Sequence, residues 1–145
     1  MLNLTYSKKV DVFINVSQSL NGRLQKDVAD RFELFTTGVL KKIKKGWVVK
    51  YNNEYNGVSK IYLMDDEQKI NILTNGDIFY TLKLDKNKIT KFSCKTKDTF
   101  SYFSVVTNKI FFKIDEQGGT IDIEYGLEID ELSNILKNRL KIEIK

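Results

Sequence analysis

The side chains that most often carry out acid–base or metal chemistry are nearly absent from this chain. The sequence contains no histidine, the residue that most often serves as a general acid or base and as a metal ligand. Its single cysteine, Cys94, excludes an internal disulfide and the multi-cysteine zinc sites, and as a nucleophile it would need a partner base. We therefore interpret Cys94 as a packing residue, and we expect no metal, no cofactor and no enzymatic activity.

Carboxylates at alternate positions form a regular acidic pattern near the end of the chain. Asp122, Glu124 and Glu128 lie on one side of a period-two stretch, where successive positions on one face are about 7 Å apart. Paired carboxylates act as acid and base only where a shielded pocket shifts the pKa of one of them. No such pocket is indicated here, and Glu54 has no acidic partner. We interpret these acids as surface groups that neighbour basic strands.

Two lysine runs that contain no acid are candidates for binding a polyanion. The second run lies between residues 86 and 97, and the first comprises Lys41, Lys42, Lys44, Lys45 and Lys50. Together with a net charge of +5, they favour nucleic acid or another polyanion through counterion release. Neither run contains arginine, the residue that binds phosphates and bases bidentately. The alternative is a solvated outer face on which acidic and basic strands lie side by side.

Aromatic residues with a polar group are candidates for lining a ligand-binding interior. Trp47, Tyr51, Tyr80 and Tyr102 combine a large apolar body with one hydrogen-bonding group, a mixture that suits a ligand cavity. The same residues equally suit a filled core. We predict that they line the interior, where a small apolar or amphipathic molecule would bind.

Phenylalanines on the outer face of the predicted strands have two interpretations. Phe13, Phe35, Phe79 and Phe103 fall off the buried pattern, so their rings would face outward. Exposed rings beside lysines are typical of proteins that bind single-stranded nucleic acid. Such a band also suits contact with the N-terminal segment or with a second copy of the chain, so a homodimer is a further prediction.

Alternation of apolar and polar residues predicts the elements that hold these side chains. Every odd position from Ile121 to Ile129 is apolar, which is typical of a half-buried strand. Similar segments predict about ten to twelve strands, including one over Val28 to Thr37 that Gly38 would end or bend. Helical spacing after Asp130 favours either a short helical turn or a loop. Short connections require antiparallel pairing, so we predict a single up-and-down β-barrel.

Length and composition indicate one domain, spanning residues 1–145. The chain is 41% hydrophobic and 30% charged, a balance typical of globular proteins. The first twenty residues lack a continuous apolar signal-peptide core, and no later stretch reaches a membrane-spanning length. We therefore expect a cytoplasmic protein without a membrane-spanning segment.

The order of several short motifs resembles that of the YwiB-like family of small bacterial proteins. The motifs are Phe35–Gly38, Val49–Tyr51 with Glu54 behind it, Asn75–Gly76, Thr96, Thr107, Gly118–Tyr125 and Asn138–Ile142. The resemblance extends from about Val10 to the end of the chain. It implies a calycin-like antiparallel β-barrel, related in architecture to lipocalins, in a family without an assigned function. Ligand binding inside the barrel, a protein-interaction or dimerisation surface, and polyanion or RNA binding remain as alternatives.

Overall fold

The computed structural model describes residues 6–20, 30–65, 69–128 and 135–145, in which the regular elements are β-strands. The described residues contain no helix that is long and apolar enough to cross a membrane. In chain order the strands are β1 Ser7–Leu20, β2 Asp30–Ile43, β3 Gly46–Asn52, β4 Val58–Met64, β5 Lys69–Thr74, β6 Phe79–Asp85, β7 Thr90–Lys95, β8 Phe100–Asp115, β9 Gly118–Glu128 and β10 Ile135–Ile144. This confirms the predicted all-β chain.

Each strand pairs with its neighbours in sequence, and β1 also pairs with β10, which closes the sheet into a barrel. All ten pairings are antiparallel. Short connections permit only this direction of pairing, and closure leaves no unpaired sheet edge. The predicted up-and-down barrel is therefore confirmed.

One end of the barrel interior is filled with aliphatic side chains. We call it the aliphatic end; there the odd-numbered strands begin and the even-numbered strands finish. Trp47 covers it, with its ring edge-on to Tyr6 at a centroid distance of 6.1 Å. The almost completely buried residues of this half include Val12, Leu40, Val49, Ile61, Leu63, Ile70, Leu84, Ile121, Ile142 and Ile144. Their burial supplies the main hydrophobic contribution to folding.

Gly38 neither ends β2 nor shifts its register, contrary to the prediction. The strand continues to Ile43, and Gly38 is the first residue of β2 to pair with β3, opposite Tyr51. A Cβ atom at Gly38 would lie 2.3 Å from the carbonyl oxygen of Lys50. Glycine is therefore needed for close approach of two backbones and not for a bulge.

A register shift occurs instead in β8. Thr107 pairs with Tyr125, whereas Lys109 pairs with Glu124, so Asn108 is the extra residue of a β-bulge. An extra residue moves every following side chain to the opposite face of the sheet. Inward positions of β8 are therefore odd before the bulge and even after it.

The predicted orientations of Tyr102 and Phe103 are wrong. Tyr102, predicted to line the interior, lies on the outer face and is 64% exposed. Phe103, predicted to face outward, packs against the buried core. Apolar residues occupy adjacent positions from Phe100 to Val106, so this segment has no alternation that indicates its buried face. Pairing with β7 places Tyr102 opposite Ser93 and Phe103 opposite Phe92.

Two predicted features lie at least partly outside the described residues. The Asn21–Gly22 turn falls within residues 21–29, and the helical turn or loop after Asp130 falls largely within residues 129–134. Ile135 and Leu136, which contributed to the helical spacing, begin β10.

Candidate ligand site at the polar end of the barrel

The second end of the interior is lined by polar and aromatic side chains. Because the chain runs up and down, the odd-numbered strands finish and the even-numbered strands begin at this rim. We call this half the polar end. Its inward residues, all buried or half-buried, include Gln18, Tyr51, Ser59, Thr74, Tyr80, Cys94, Thr107, Tyr125 and Asn138.

A pair of hydrogen-bonded hydroxyl groups lies beside two of the tyrosines. The Oγ of Ser59 and the Oγ1 of Thr74 are 2.7 Å apart across β4 and β5, and Asn53 Nδ2 donates to Ser59 Oγ at 3.1 Å. Ser59 and Thr74 also interact with the phenols of Tyr51 and Tyr80, respectively, and lower their pKa values from the level that burial sets. The two hydroxyls thus lie beside both phenol groups and satisfy each other.

Two turns pack backbone against backbone at the rim beside these tyrosines. Asn53 Oδ1 accepts hydrogen bonds from the backbone amides of Tyr55 and Gly57, and the Asp77 amide donates to the Tyr55 carbonyl at 2.7 Å. Gly76 has a φ of 134°, and a Cβ there would lie 2.2 Å from the Tyr55 carbonyl oxygen. The predicted Asn75–Gly76 hairpin thus also shapes the rim.

Replacing Gly76 by alanine should destabilise the protein by about 1–3 kcal/mol, because alanine rarely adopts this φ and its Cβ would meet the Tyr55 carbonyl. Urea unfolding monitored by circular dichroism measures the change. Asn71→Ala, at an exposed position of the preceding strand, is the control and should change stability by less than about 0.5 kcal/mol. Equal unfolding midpoints for Gly76→Ala and the unmodified protein would contradict this account of the rim.

Burial keeps the phenol groups of the polar end neutral well above physiological pH. It raises the pKa values of Tyr51, Tyr80 and Tyr125 above their ordinary value, because the charged form loses hydration. Partial burial, followed by the charge of Glu54, raises the pKa of Tyr55 to about 12. Neutral phenols donate and accept hydrogen bonds, so these groups can bind uncharged polar atoms.

Thr107 presents a hydrogen-bonding group that no described residue satisfies. Its Oγ1 is buried without a hydrogen-bond partner, although buried hydroxyls are normally paired. Thr107 lies directly opposite Tyr125 across β8 and β9, and a charge on Tyr80 would raise the pKa of Tyr125 further. The three side chains therefore surround one region of the polar end.

Amide groups lie on one side of this region, and aromatic rings on the other. Gln18 Nε2 donates to Asn138 Oδ1 at 2.6 Å. The rings of Tyr80 and Phe92 have centroids 5.4 Å apart, and those of Phe92 and Phe103 are 6.1 Å apart. The polar end thus has hydrogen-bonding groups on one side and a hydrocarbon surface on the other.

The structure brings together two of the four residues predicted to line the interior. Tyr51 and Tyr80 are at the polar end, Trp47 covers the aliphatic end, and Tyr102 lies outside the barrel. Sequence analysis did not identify Tyr125 or Thr107 as site residues. The alternation of β9 already placed Tyr125 on the buried side, but Thr107 could not be oriented without the bulge.

The predicted lysine patch is divided among three places. The patch comprises Lys41, Lys42, Lys44, Lys45 and Lys50. Lys41 and Lys50 point outward, and Lys44 and Lys45 form the β2–β3 turn. Lys42 instead lies 4.9 Å from the centroid of the Trp47 ring and pairs with Asp65 at 3.3 Å.

Acidic residues of β9 lie on the outer face beside basic strands, as interpreted from the sequence. Asp122 Oδ2 is 3.0 Å from Lys109 Nζ and 3.2 Å from Arg139, which also pairs with Glu124 at 3.6 Å. Burial alone would raise the pKa of Asp122, but hydrogen bonds from Arg139 and Lys109 lower it below its usual value. Among the described residues, no group of three or more acidic or thiol side chains could hold a metal ion.

Three of the four outer-face phenylalanines predicted from the sequence do lie outward. Phe13 and Phe35 stack at a centroid distance of 4.3 Å, and Phe35 and Phe79 are exposed. Phe103 faces inward, as described above. A homodimer through these rings stays a prediction.

The described residues thus define a class of protein: a closed, ten-stranded, antiparallel up-and-down β-barrel with a tyrosine-lined polar end. A family model described as "Domain of unknown function (DUF1934)" matches residues 14–142, so the chain belongs to this family. No curated protein sequence matches the chain.

A solved structure with the same fold is the crystal structure of the ywiB protein from Bacillus subtilis. The two chains are 12% identical, and they superimpose with a TM-score of 0.75 over 94% of this chain and 92% of that one. At this identity the likeness establishes the fold alone. With the family match, it confirms the resemblance to the YwiB-like family.

Proposed function

We propose that the barrel binds a small, uncharged, amphipathic molecule at its polar end and does not transform it. One observation carries the proposal: Thr107 Oγ1 is buried and has no hydrogen-bond partner among the described residues. An unpaired buried hydroxyl destabilises a protein by about 1–3 kcal/mol, so its presence is readily explained by a bound molecule that completes it. A cytoplasmic location remains a prediction.

The chemistry of the polar end supports this class of ligand. The inward residues named above carry hydroxyl, amide and thiol groups and no formal charge, which disfavours a strongly charged molecule. The phenols of Tyr80 and Tyr125 stay protonated at physiological pH. The rings of Phe92 and Phe103 offer an apolar surface beside them. A flat or apolar body that bears one or two hydrogen-bonding groups fits both sides of the region.

An entirely apolar ligand is less well supported. The aliphatic end is filled by its own side chains, and Trp47 covers it. A molecule without polar atoms would also leave the Thr107 hydroxyl unpaired at the polar end. The proposal therefore narrows the predicted apolar or amphipathic ligand to an amphipathic one.

The test compares molecules that co-purify with the unmodified protein and with a Thr107→Val variant. Both proteins are purified from the native host without denaturation, and bound molecules are measured by native mass spectrometry and by mass spectrometry of solvent extracts. We expect one small molecule to co-purify with the unmodified protein. The fraction of the Thr107→Val protein that carries this molecule should be about 2- to 10-fold lower, because one hydrogen bond to the ligand is lost. Valine matches threonine in shape, so the variant should fold.

Tyr62→Phe is the matched control, because this residue belongs to the outward set of β4 and should leave occupancy unchanged. Absence of a co-purifying molecule, or equal occupancy in Thr107→Val, would overturn the proposal. If Thr107 Oγ1 binds only an ordered water, no small molecule will co-purify with the unmodified protein.

A further inference from the structure

The outer face of β3 to β7 carries a group of lysines. Lys50, Lys60, Lys91 and Lys95 point outward there. The outward side chains of β3, β4, β5 and β7 include no carboxylate. Asp85, at the end of β6, is buried and accepts a hydrogen bond from the Asn87 amide. Because no acidic strand neighbours these lysines, the solvated-face interpretation does not account for them.

One pair of lysines faces each other directly across the ladder. Lys50 and Lys60 are partners in the pairing of β3 with β4, and no carboxylate within the described part of the chain lies within 4 Å of either. Like charges in directly opposed positions destabilise a sheet. On the other side of the barrel, Arg139 faces Glu124 instead. An unrelieved pair of cations is suited to an anion supplied from outside.

Exposed aromatic rings lie beside these lysines. Phe79, Lys95 and Phe100 form one row across β6, β7 and β8, and both rings are more than half exposed. Tyr102 is 6.0 Å from Phe100 between ring centroids, and Lys91 Nζ is 5.6 Å from the Tyr102 ring. A groove of about 360 Å³ runs between the two phenylalanines and is bordered by Lys95.

We propose that this lysine–aromatic face, defined by Lys50, Lys60, Lys95, Phe79, Phe100 and Tyr102, binds single-stranded nucleic acid. Two strand spacings separate Phe79 from Phe100, about 10 Å, and Lys95 lies between them. Unpaired bases stack on the two rings while Lys95 contacts the backbone phosphate between them.

The rings favour single-stranded nucleic acid over other polyanions. An acidic protein or inorganic polyphosphate would use the lysines and leave the rings without a function. A duplex hides its bases, so its affinity should depend little on the rings. The groove also presents the hydroxyls of Thr81 and Ser93, which can hydrogen-bond the sugar–phosphate backbone. We expect little base selectivity, because every base has a face that stacks.

Fluorescence anisotropy with a labelled oligothymidylate of about 16 nucleotides tests the proposal. With three phosphates contacted, an increase in salt from about 50 to about 200 mM should reduce the affinity about 20-fold. Phe79→Ala and Phe100→Ala should each weaken binding by about 5- to 150-fold. Lys95→Gln should flatten the slope of log affinity against log salt by about 0.7. Both rings and the lysine are exposed, so the variants should fold.

Matched controls lie on the outer face of β8 at its other end, beyond the bulge. Phe111→Ala and Lys113→Gln, at exposed positions of β8 beyond the bulge, should leave binding unchanged. Thr107→Val should also leave it unchanged, because Thr107 does not line this groove. No binding at low salt, loss of binding in the controls, or Phe79→Ala and Phe100→Ala affinities equal to that of the unmodified protein would overturn the proposal. Inorganic polyphosphate that competes equally well would show a general polyanion surface and overturn it too.

Discussion

A Leu63→Ala variant should lose about 2–5 kcal/mol of unfolding free energy. Leu63 is 0% exposed in the aliphatic end, opposite Trp47 on β3 and Ile70 on β5. Truncation removes buried methyl groups and leaves a cavity that strands held by ladders on both sides cannot close. Urea unfolding with a linear extrapolation measures the loss.

Leu73→Ala is the matched control for this prediction. Leu73 lies on the outer face of β5 and is 42% exposed, so the same truncation there should cost less than about 1 kcal/mol. Similar losses for the two variants would contradict the assignment of the aliphatic end as the structural core. Because the aliphatic end is separate from the polar end, Leu63→Ala should not prevent ligand binding when the protein is folded.

Raising the pH from about 10 to about 12 should destabilise the protein by several kcal/mol. In the unfolded chain tyrosine has a pKa near 10, whereas burial raises the pKa values of Tyr51, Tyr80 and Tyr125 in the fold. Above pH 10 the unfolded state therefore binds fewer protons than the folded state, and the free energy of unfolding falls. Each phenol contributes up to about 1.4 kcal/mol per pH unit. The contribution is complete below pH 10 and is lost as pH rises toward the folded pKa values.

Urea unfolding at successive pH values measures this slope, and absorbance at 295 nm follows ionisation of the phenols directly. Tyr125→Phe removes one buried phenol. It should therefore reduce the dependence of the unfolding free energy on pH by up to about 1.4 kcal/mol per pH unit. Leu73→Ala removes no phenol and should leave the slope unchanged. Stability independent of pH between about 10 and 12, or full ionisation of all tyrosines before unfolding, would contradict the burial of the polar end.

Alternation in the sequence was sufficient to predict the barrel, because each half-buried strand can be recognised without its partners. The stretch from Ile121 to Leu127 forms β9 as its odd apolar positions indicate. Tyr51 and Tyr80 point inward for the same reason. The orientation of Tyr102 could not be predicted, because the segment from Phe100 to Val106 has apolar residues at adjacent positions and does not alternate.

Surface charge was harder to predict, because it depends on pairing between strands. The lysines closest in sequence, Lys44 and Lys45, form a turn. Lys50 instead faces Lys60, ten positions further along the chain, across a hairpin. Counting charges along the chain could not identify that pair. Likewise, the unpaired hydroxyl of Thr107 depends on neighbours from other strands and leaves no signal in the sequence.

The proposed ligand site is tested most directly by a high-resolution crystal structure of the protein purified from its native host without denaturation. We predict electron density for a molecule other than water in the polar end, hydrogen-bonded to Thr107 Oγ1 and in contact with the rings of Tyr80 or Phe103. A polar end in which Thr107 Oγ1 binds only water, or in which side chains fill the region, would contradict the proposed function.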